Sequence, residues 1–532
     1  MNKSLTRVLA TVFVMTSLFP AFGEVKVAGI FSDHMILQRE LPVNIWGTAS
    51  PNEIVTVSFA GQSVEAKADS NGDWLLKLAP LKMSKKPQSM TIKGENTIEL
   101  SDVLIGEVWL CSGQSNMADS FCSKEGHALD PNDYKRDHSL LRVSPSRGQW
   151  TLFGKDSLRR FPRVGYYFGM KLIENIDMPV GLIHQARSAT PIQGWMSPDA
   201  AEKVRVKLNI AKHWNDPKNP HTGGLQFNEC IKPIIPATFR GVIWYQGERN
   251  AKTQTGVEYK ELLVTLIESW RELWAQKSGS KLRKFPFYYV QVPTQGDKGG
   301  VAMEWPYLRN SMRMALDLTE NTGMAIFYDW GPSLHPSNKK VAGERLALWA
   351  LAKDYGKTNI VPCGPLLDKV TIDGNKALLS FKYIGGGLKN KSGEKNLKFF
   401  EIAGEDAKYV SAEATIQGDI VVVESDKVSA PIYVRYLFRK VKPDAEVSLI
   451  NAEGLPASSF LTDSVMPFRP EIEPYNEQMA IDRAAMVKEK AKIMAEINKL
   501  RSTMTPQEFR KLKMKMERDA KKRIKEQSNK KD

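Results

Sequence analysis

Between Val25 and about Ser101, apolar and polar positions alternate in short runs: "IVTVSF" (54–59), "SVEAKAD" (63–69), "DWLLKLAPL" (73–81), "QSMTIKG" (88–94) and "TIELSDV" (97–103). Gly47, Pro51-Asn52, Gly61-Gln62 and Asn71-Gly72 punctuate them. Period-two runs broken by turn residues at close intervals predict antiparallel strands, and hence a β-sandwich module over residues 24–103.

The pattern changes near Leu104. Five apolar runs, "DVLIGEVWL" (102–110), "MPVGLIH" (178–184), "FRGVIWYQG" (239–247), "FPFYYVQVP" (285–293) and "GMAIFYDWG" (323–331), read as buried strands. Helical spacing lies between and after them, at 257–276, 310–321 and 338–356. Buried strands alternating with helices predict an α/β domain over 104–360, a parallel sheet covered on both faces by helices. Ligands of such sheets bind beyond the carboxyl ends of the strands, and each of these strands ends in a polar cluster. Short alternating pieces return from 361 to 470, for example "KALLSFKY" (376–383) and "DIVVVES" (419–425), and predict a second β region.

The two ends of the chain differ from this body. Lys3 and Arg7, the apolar run "VLATVFVMTSLF" (8–19) and then "AFG" (21–23) have the order of a secretory signal peptide over residues 1–23, so an exported protein, periplasmic or extracellular, is expected. Residues 471–532 are predicted to be a basic helical tail. Met486, Ile493, Ile497 and Leu500 share one helical face, "TPQE" (505–508) begins a second helix, and Phe509, Leu512 and Met516 continue its stripe.

Charge narrows the partners. The net charge is +15, but residues 475–532 alone hold 17 Lys and Arg against 9 Asp and Glu. More than half of the excess therefore sits on one helical tail, as a solvated face, and no nucleic-acid partner is expected. No stretch has the roughly 20 apolar residues of a membrane helix. Cys111, Cys122, Cys230 and Cys363 lack metal-site spacing; they are read either as buried thiols or as containing one disulfide.

The candidate chemistry begins at "CSGQSNMADS" (111–120), where Ser115 follows a buried strand in a small, glycine-bearing turn. A serine there is either a turn residue or a nucleophile, and a nucleophile needs a base to take its proton. Of seven histidines, His34, His127, His138, His213 and His221 lie in the β module or in polar stretches, and His184 ends a strand. His335, in "DWGPSLHPSNK", occupies a loop between the last buried strand and a helix. Asn250 in "WYQGERNA" carries an amide of the kind that stabilises an oxyanion, although an Asn after a strand is equally a cap or turn residue.

"GQSNM", "WYQGERNA" and "LHPSNKKVAGERLALWALAKDYG", in this order, resemble the sialate O-acetylesterases, carbohydrate esterases of the SGNH hydrolase superfamily. "FSDHMILQRELPVNIWGTASP" (31–51), "VLIGEVWLCSGQSNM" (103–117) and "ATPIQGWMS" (189–197) extend the likeness over residues 25 to about 465. The resemblance implies an SGNH-type sheet and carbohydrate O-acetylesterase activity on an acetylated carbohydrate, with no metal or organic cofactor. It makes Ser115 the nucleophile and His335 the general base, with Ser115, Ser188 and Asn250 as oxyanion donors. Gln114, Gln246, Glu248 and Arg249 then line the substrate site.

Three positions depart from the family pattern. Pro332 and Ser333 stand where an acidic residue usually precedes the histidine, which leaves Asp329 or Glu248 to orient the imidazole. Ser188-Ala189 replaces a glycine pair, and Arg249 replaces a small residue and offers a guanidinium to an acidic sugar. These changes leave a second reading open: a catalytically degenerate esterase that binds glycans. Acetate release by the wild type but not by Ser115→Ala separates the two.

Overall fold

The structure is a computed structural model of the full chain, and it describes residues 24–121, 130–146, 148–210, 224–253, 255–278, 284–293, 304–330, 333–438 and 447–463. The expected signal peptide and helical tail, together with Cys122, His127, His213 and His221, lie outside the described residues.

The chain is a mixed α/β protein organised around one large mixed sheet. The main path of that sheet runs Thr151–Leu152, Leu141–Ser144, Val180–Ala186, Thr97–Gly113, Gly241–Tyr245, Phe287–Gln291, Thr322–Ile326. From Leu141–Ser144 onward every neighbouring pair is parallel, and only Thr151–Leu152 is antiparallel to its neighbour. All residues of Gly241–Tyr245 and Phe287–Gln291 are buried, as expected of strands covered on both faces. Neither run alternates, because neither face meets water.

Strand order decides where a site can form. The strand ending at Gly113 is central, and the chain passes first to one side of it, through Val180–Ala186, and then to the other, through Gly241–Tyr245. Gly113 is in register with Ala186 on one side and Tyr245 on the other. The crevice beyond Gly113 is thus a topological switch point, where open α/β sheets bind ligands. Gly113 has φ of +137°, and a Cβ there would lie 2.2 Å from Tyr245 O, so only glycine permits this turn.

Helices cover the sheet. Arg163–Ile176 and Lys339–Lys353 pack against each other, closely enough at Gly343 that a Cβ would stand 2.5 Å from Val164 O. Asn338 caps the second of these, its side-chain oxygen accepting from Val341 N at 3.3 Å. The helix expected at 257–276 is found as Tyr259–Ser278. The one expected at 310–321 instead spans Glu304–Ala315, and Thr319 Oγ1 beyond it bonds back to Ala315 O at 2.9 Å. Among the described residues, no helix is long and apolar enough to cross a membrane.

Two further β regions flank the sheet. At the N-terminal side, Lys26–Val27, Val43–Thr48 and Asp73–Leu78 form one sheet, while Ile54–Phe59, Gln62–Lys67 and Ser84–Lys93 join the first half of Thr97–Gly113. Val55, Val57 and Phe59 face inward from one layer and Trp74, Leu76 and Leu78 from the other. The boundary expected at residue 103 falls inside a single 17-residue strand, which pairs antiparallel with Ser84–Lys93 before entering the parallel sheet. Asp102, with φ of +53°, marks the change of course. On the C-terminal side, Leu366–Asp373, Lys376–Lys382, Ile420–Glu424 and Glu413–Gln417 form a four-stranded sheet, and Phe400–Ala403 and Tyr433–Tyr436 belong to another.

Candidate active site

Ser115 opens a four-residue helical turn, Ser115–Ala118, immediately beyond the central strand. His335 arrives from the loop after the last parallel strand, and its Nε2 lies 2.9 Å from Ser115 Oγ. Both side chains are half-buried and line a cavity of about 330 Å³ with Gln114, Ser188, Glu248 and Arg249. That volume falls within the usual range for small-ligand sites. Base and nucleophile are therefore in hydrogen-bond contact at the wall of a ligand-sized cleft.

Other expected site residues are placed differently. Asn250 is fully buried, and its Nδ2 donates to Gln193 Oε1 at 3.3 Å and Thr255 Oγ1 at 3.0 Å. Its Oδ1 accepts from Ile192 N at 3.0 Å and Gln246 Nε2 at 2.8 Å. With both amide hydrogens taken inside the core, Asn250 is a brace for the 190–195 loop rather than an oxyanion donor. Gln246, also fully buried, donates to Gln114 Oε1, Thr190 O and Asn250 Oδ1 and accepts from Tyr259 Oη at 2.7 Å. It supports the cavity from behind and does not line it. Gln114 does line it, with Oε1 held by Gln246 and by Arg249 N at 3.2 Å, so its amide nitrogen is left for the cavity.

Asp329 is held by Arg345. Its two carboxylate oxygens accept from Arg345 Nη1 and Nη2 at 2.6 and 2.7 Å, and Arg345 also bonds Ile326 O, so the pair ties the end of the last strand to the helix beyond. Glu248 lies in the cavity wall, and its carboxylate accepts from Asn116 Nδ2. Burial pushes its carboxyl above the usual range, partly offset by its own backbone N–H, Asn116 and the Lys339 charge. Left-handed strain at the replaced glycine pair falls on Ala189, with φ of +62°, instead of on Ser188.

His184, beneath the turn, is a core histidine: its pKa is pushed down to about 4 by burial, against a hydrogen bond to the Met117 backbone. Cys111 and Cys363 are buried free thiols, both raised by burial.

Four contributors escaped sequence reasoning: Asn116, Arg163, Lys252 and Lys339. Lys252 lines the cavity three residues from Arg249, and its ammonium is lowered by burial and then by that guanidinium. Lys339 offered one signal. It begins a helix whose first turn carries no acidic residue, where a cation opposes the helix dipole.

The family model described as "Carbohydrate esterase, sialic acid-specific acetylesterase" matches residues 105–316, a span that includes Ser115 and stops short of His335. A sialate O-acetylesterase of Homo sapiens is 30% identical over 425 residues, covering 71% of this chain and 80% of the relative. The chain belongs to the sialate O-acetylesterase family. A second member, from Pongo abelii, is 29% identical over 425 residues, again covering 71% of this chain and 80% of its own. Among solved structures, a carbohydrate acetylesterase from Xanthomonas citri is similar over its whole length and 83% of this chain, at 32% identity and a TM-score of 0.72.

Proposed function

We propose that the protein is a carbohydrate O-acetylesterase that transfers an acetyl group to Ser115 and then to water. The observation that carries this reading is the 2.9 Å contact between His335 Nε2 and Ser115 Oγ at the mouth of the cavity. His335 removes the hydroxyl proton as Oγ attacks the ester carbonyl, and then returns it to the departing sugar oxygen. Water deprotonated by the same imidazole next attacks the acetyl-serine, and acetate leaves with Oγ reprotonated.

The tetrahedral oxyanion needs donors fixed before it forms. Among the described residues, the Ser115 N–H has no acceptor, whereas Gln114, Met117 and Ala118 N–H groups bond to Tyr245 O or Gln114 O. The Ser115 N–H, the backbone at Ser188 and the Gln114 amide supply those donors. This set fits an SGNH-type site in which Asn250 has been drawn into the core.

Arg249 and Lys252 favour a glycan that carries an acidic group near the acetyl ester. Export to the periplasm or the exterior, read from the leader-like residues 1–23, gives such an enzyme access to polymeric carbohydrate. Acetate release from p-nitrophenyl acetate and from a panel of acetylated glycans tests the reading. Wild type is expected to exceed Ser115→Ala on at least one substrate. Equal release by the two proteins overturns catalysis and leaves glycan binding.

A further inference from the structure

The loop that carries His335 is held by its backbone carbonyls. Leu334 O accepts from Asn116 Nδ2 at 3.0 Å, Pro336 O from Lys339 Nζ at 2.7 Å, and Ser337 O from Arg163 Nη2 at 2.7 Å. Carbonyls on both sides of the histidine therefore end on side-chain donors, all from residues that are themselves buried.

The donors are joined to the nucleophile. Lys339 Nζ also donates to Asn116 Oδ1 at 2.5 Å, and Arg163 Nη1 bonds Asp119 Oδ2 at 3.2 Å. Asn116 directly follows Ser115, and Asp119 is the cap residue at the end of the same short turn. One cluster thus grips the nucleophile's turn and the base's loop together.

Stability is a poor explanation for Lys339. Its side chain is fully buried, and an ammonium loses its hydration there before any bond is made. It also stands at the amino end of a helix, where the dipole disfavours a cation. Its surroundings compensate in part: the Tyr245 ring is 5.8 Å away, and the Lys339 charge acts on the buried Glu248 carboxyl. A methionine would fill similar space without the charge, but it would release Pro336 O and Asn116 Oδ1.

We propose that Lys339, acting with Asn116 and Arg163, is a positioning residue that holds the His335 imidazole on Ser115 by anchoring the backbone on either side of it. The inference rests on His335 being the general base. Proton transfer requires the donor and acceptor within about 3 Å, and a shift of about 1 Å costs on the order of a hundredfold in rate.

Lys339→Met in the full chain is the direct test, with Asn116→Ala and Arg163→Met as variants that each remove one anchor should the first fail to fold. Kinetics on p-nitrophenyl acetate are expected to show kcat lower by roughly 10- to 100-fold for Lys339→Met, with KM changed less than about twofold. Hydrogen exchange of the segment 333–338 is expected to quicken while the parallel strands keep their protection. Ser115→Ala, measured beside them, sets the activity floor: a wild type at that floor defeats the acyl-transfer reading, and exchange of 333–338 still decides the anchoring. Unchanged exchange in all three variants, or a folded Lys339→Met with wild-type kcat, overturns the proposal.

Discussion

His335 Nε2 and Ser115 Oγ meet at 2.9 Å across 220 residues of sequence. Ser115 is placed by the end of the central strand, and His335 by a loop whose following helix packs against Arg163–Ile176. Removing either partner removes the proton relay. Ser115→Ala and His335→Ala are each expected to lower kcat for acetate release by at least ~10³-fold, and the double variant to be no worse than the single ones, since the two act as a unit. Additive losses in the double variant would show that they act separately.

Asp329 and Arg345 form a two-pronged ion pair. Asp329→Asn is expected to lower stability by about 1–3 kcal/mol, because a partly buried guanidinium loses its counter-charge. Thermal melting should show this, while kcat falls less than about tenfold. A loss of about 10⁴-fold without a change in melting temperature would restore Asp329 as the triad acid.

Asn250 is expected to behave as a core residue. Asn250→Ala leaves Ile192 N without its partner and takes one bond each from Gln246 Nε2 and Thr255 Oγ1, and a buried network broken in this way loses about 2–4 kcal/mol. Denaturant unfolding measures that loss. Full stability combined with a selective fall in kcat would instead mark Asn250 as an oxyanion donor.

These residues show what a sequence discloses. Ser115 was legible because a buried apolar run and a glycine turn mark a strand terminus locally, and His335 because its loop is bounded by a strand and a helix. The contacts of Asp329 and Asn250 were not legible because their partners come from elsewhere in the fold: Arg345 from the next helix, Ile192 and Gln246 from two other segments. Lys339 reads as one more surface cation in "SNKK", and only packing shows it sealed beneath the site. The strand that crosses the expected boundary near residue 103 was hidden for a related reason, since alternation stops where the strand gains a second covered face while the strand itself continues.

Arg249 and Lys252 share the cavity wall, and the guanidinium helps depress the ammonium. An acidic sugar would relieve that repulsion. Arg249→Ala is expected to raise KM for an acetylated acidic glycan at least ~10-fold more than for a neutral one, as measured by acetate release at fixed ionic strength. Equal changes for the two substrates would remove Arg249 from recognition.

The pH dependence of stability contains two opposing contributions. The His184 pKa is pushed down to about 4 by burial, while a histidine in the unfolded chain titrates near 6.5. Between those values the unfolded chain binds more protons, so stability is lost as pH falls from about 6.5 to about 4, by up to about 3 kcal/mol. Asp354 acts in the opposite sense. Burial pushes it up to about 6, despite a 2.7 Å bond from Tyr288 Oη, so the folded state holds the proton more tightly and stability is lost as pH rises through about 6. Wild-type melting alone mixes the two, but substitution separates them. His184→Asn, which can keep a donor toward the Met117 backbone, is expected to gain on wild type at pH 4.5 relative to pH 7.5, and Asp354→Asn to gain at pH 7.5 relative to pH 4.5. Denaturant midpoints at the two pH values decide it, and a pH-independent difference from wild type for either variant removes that residue from the account.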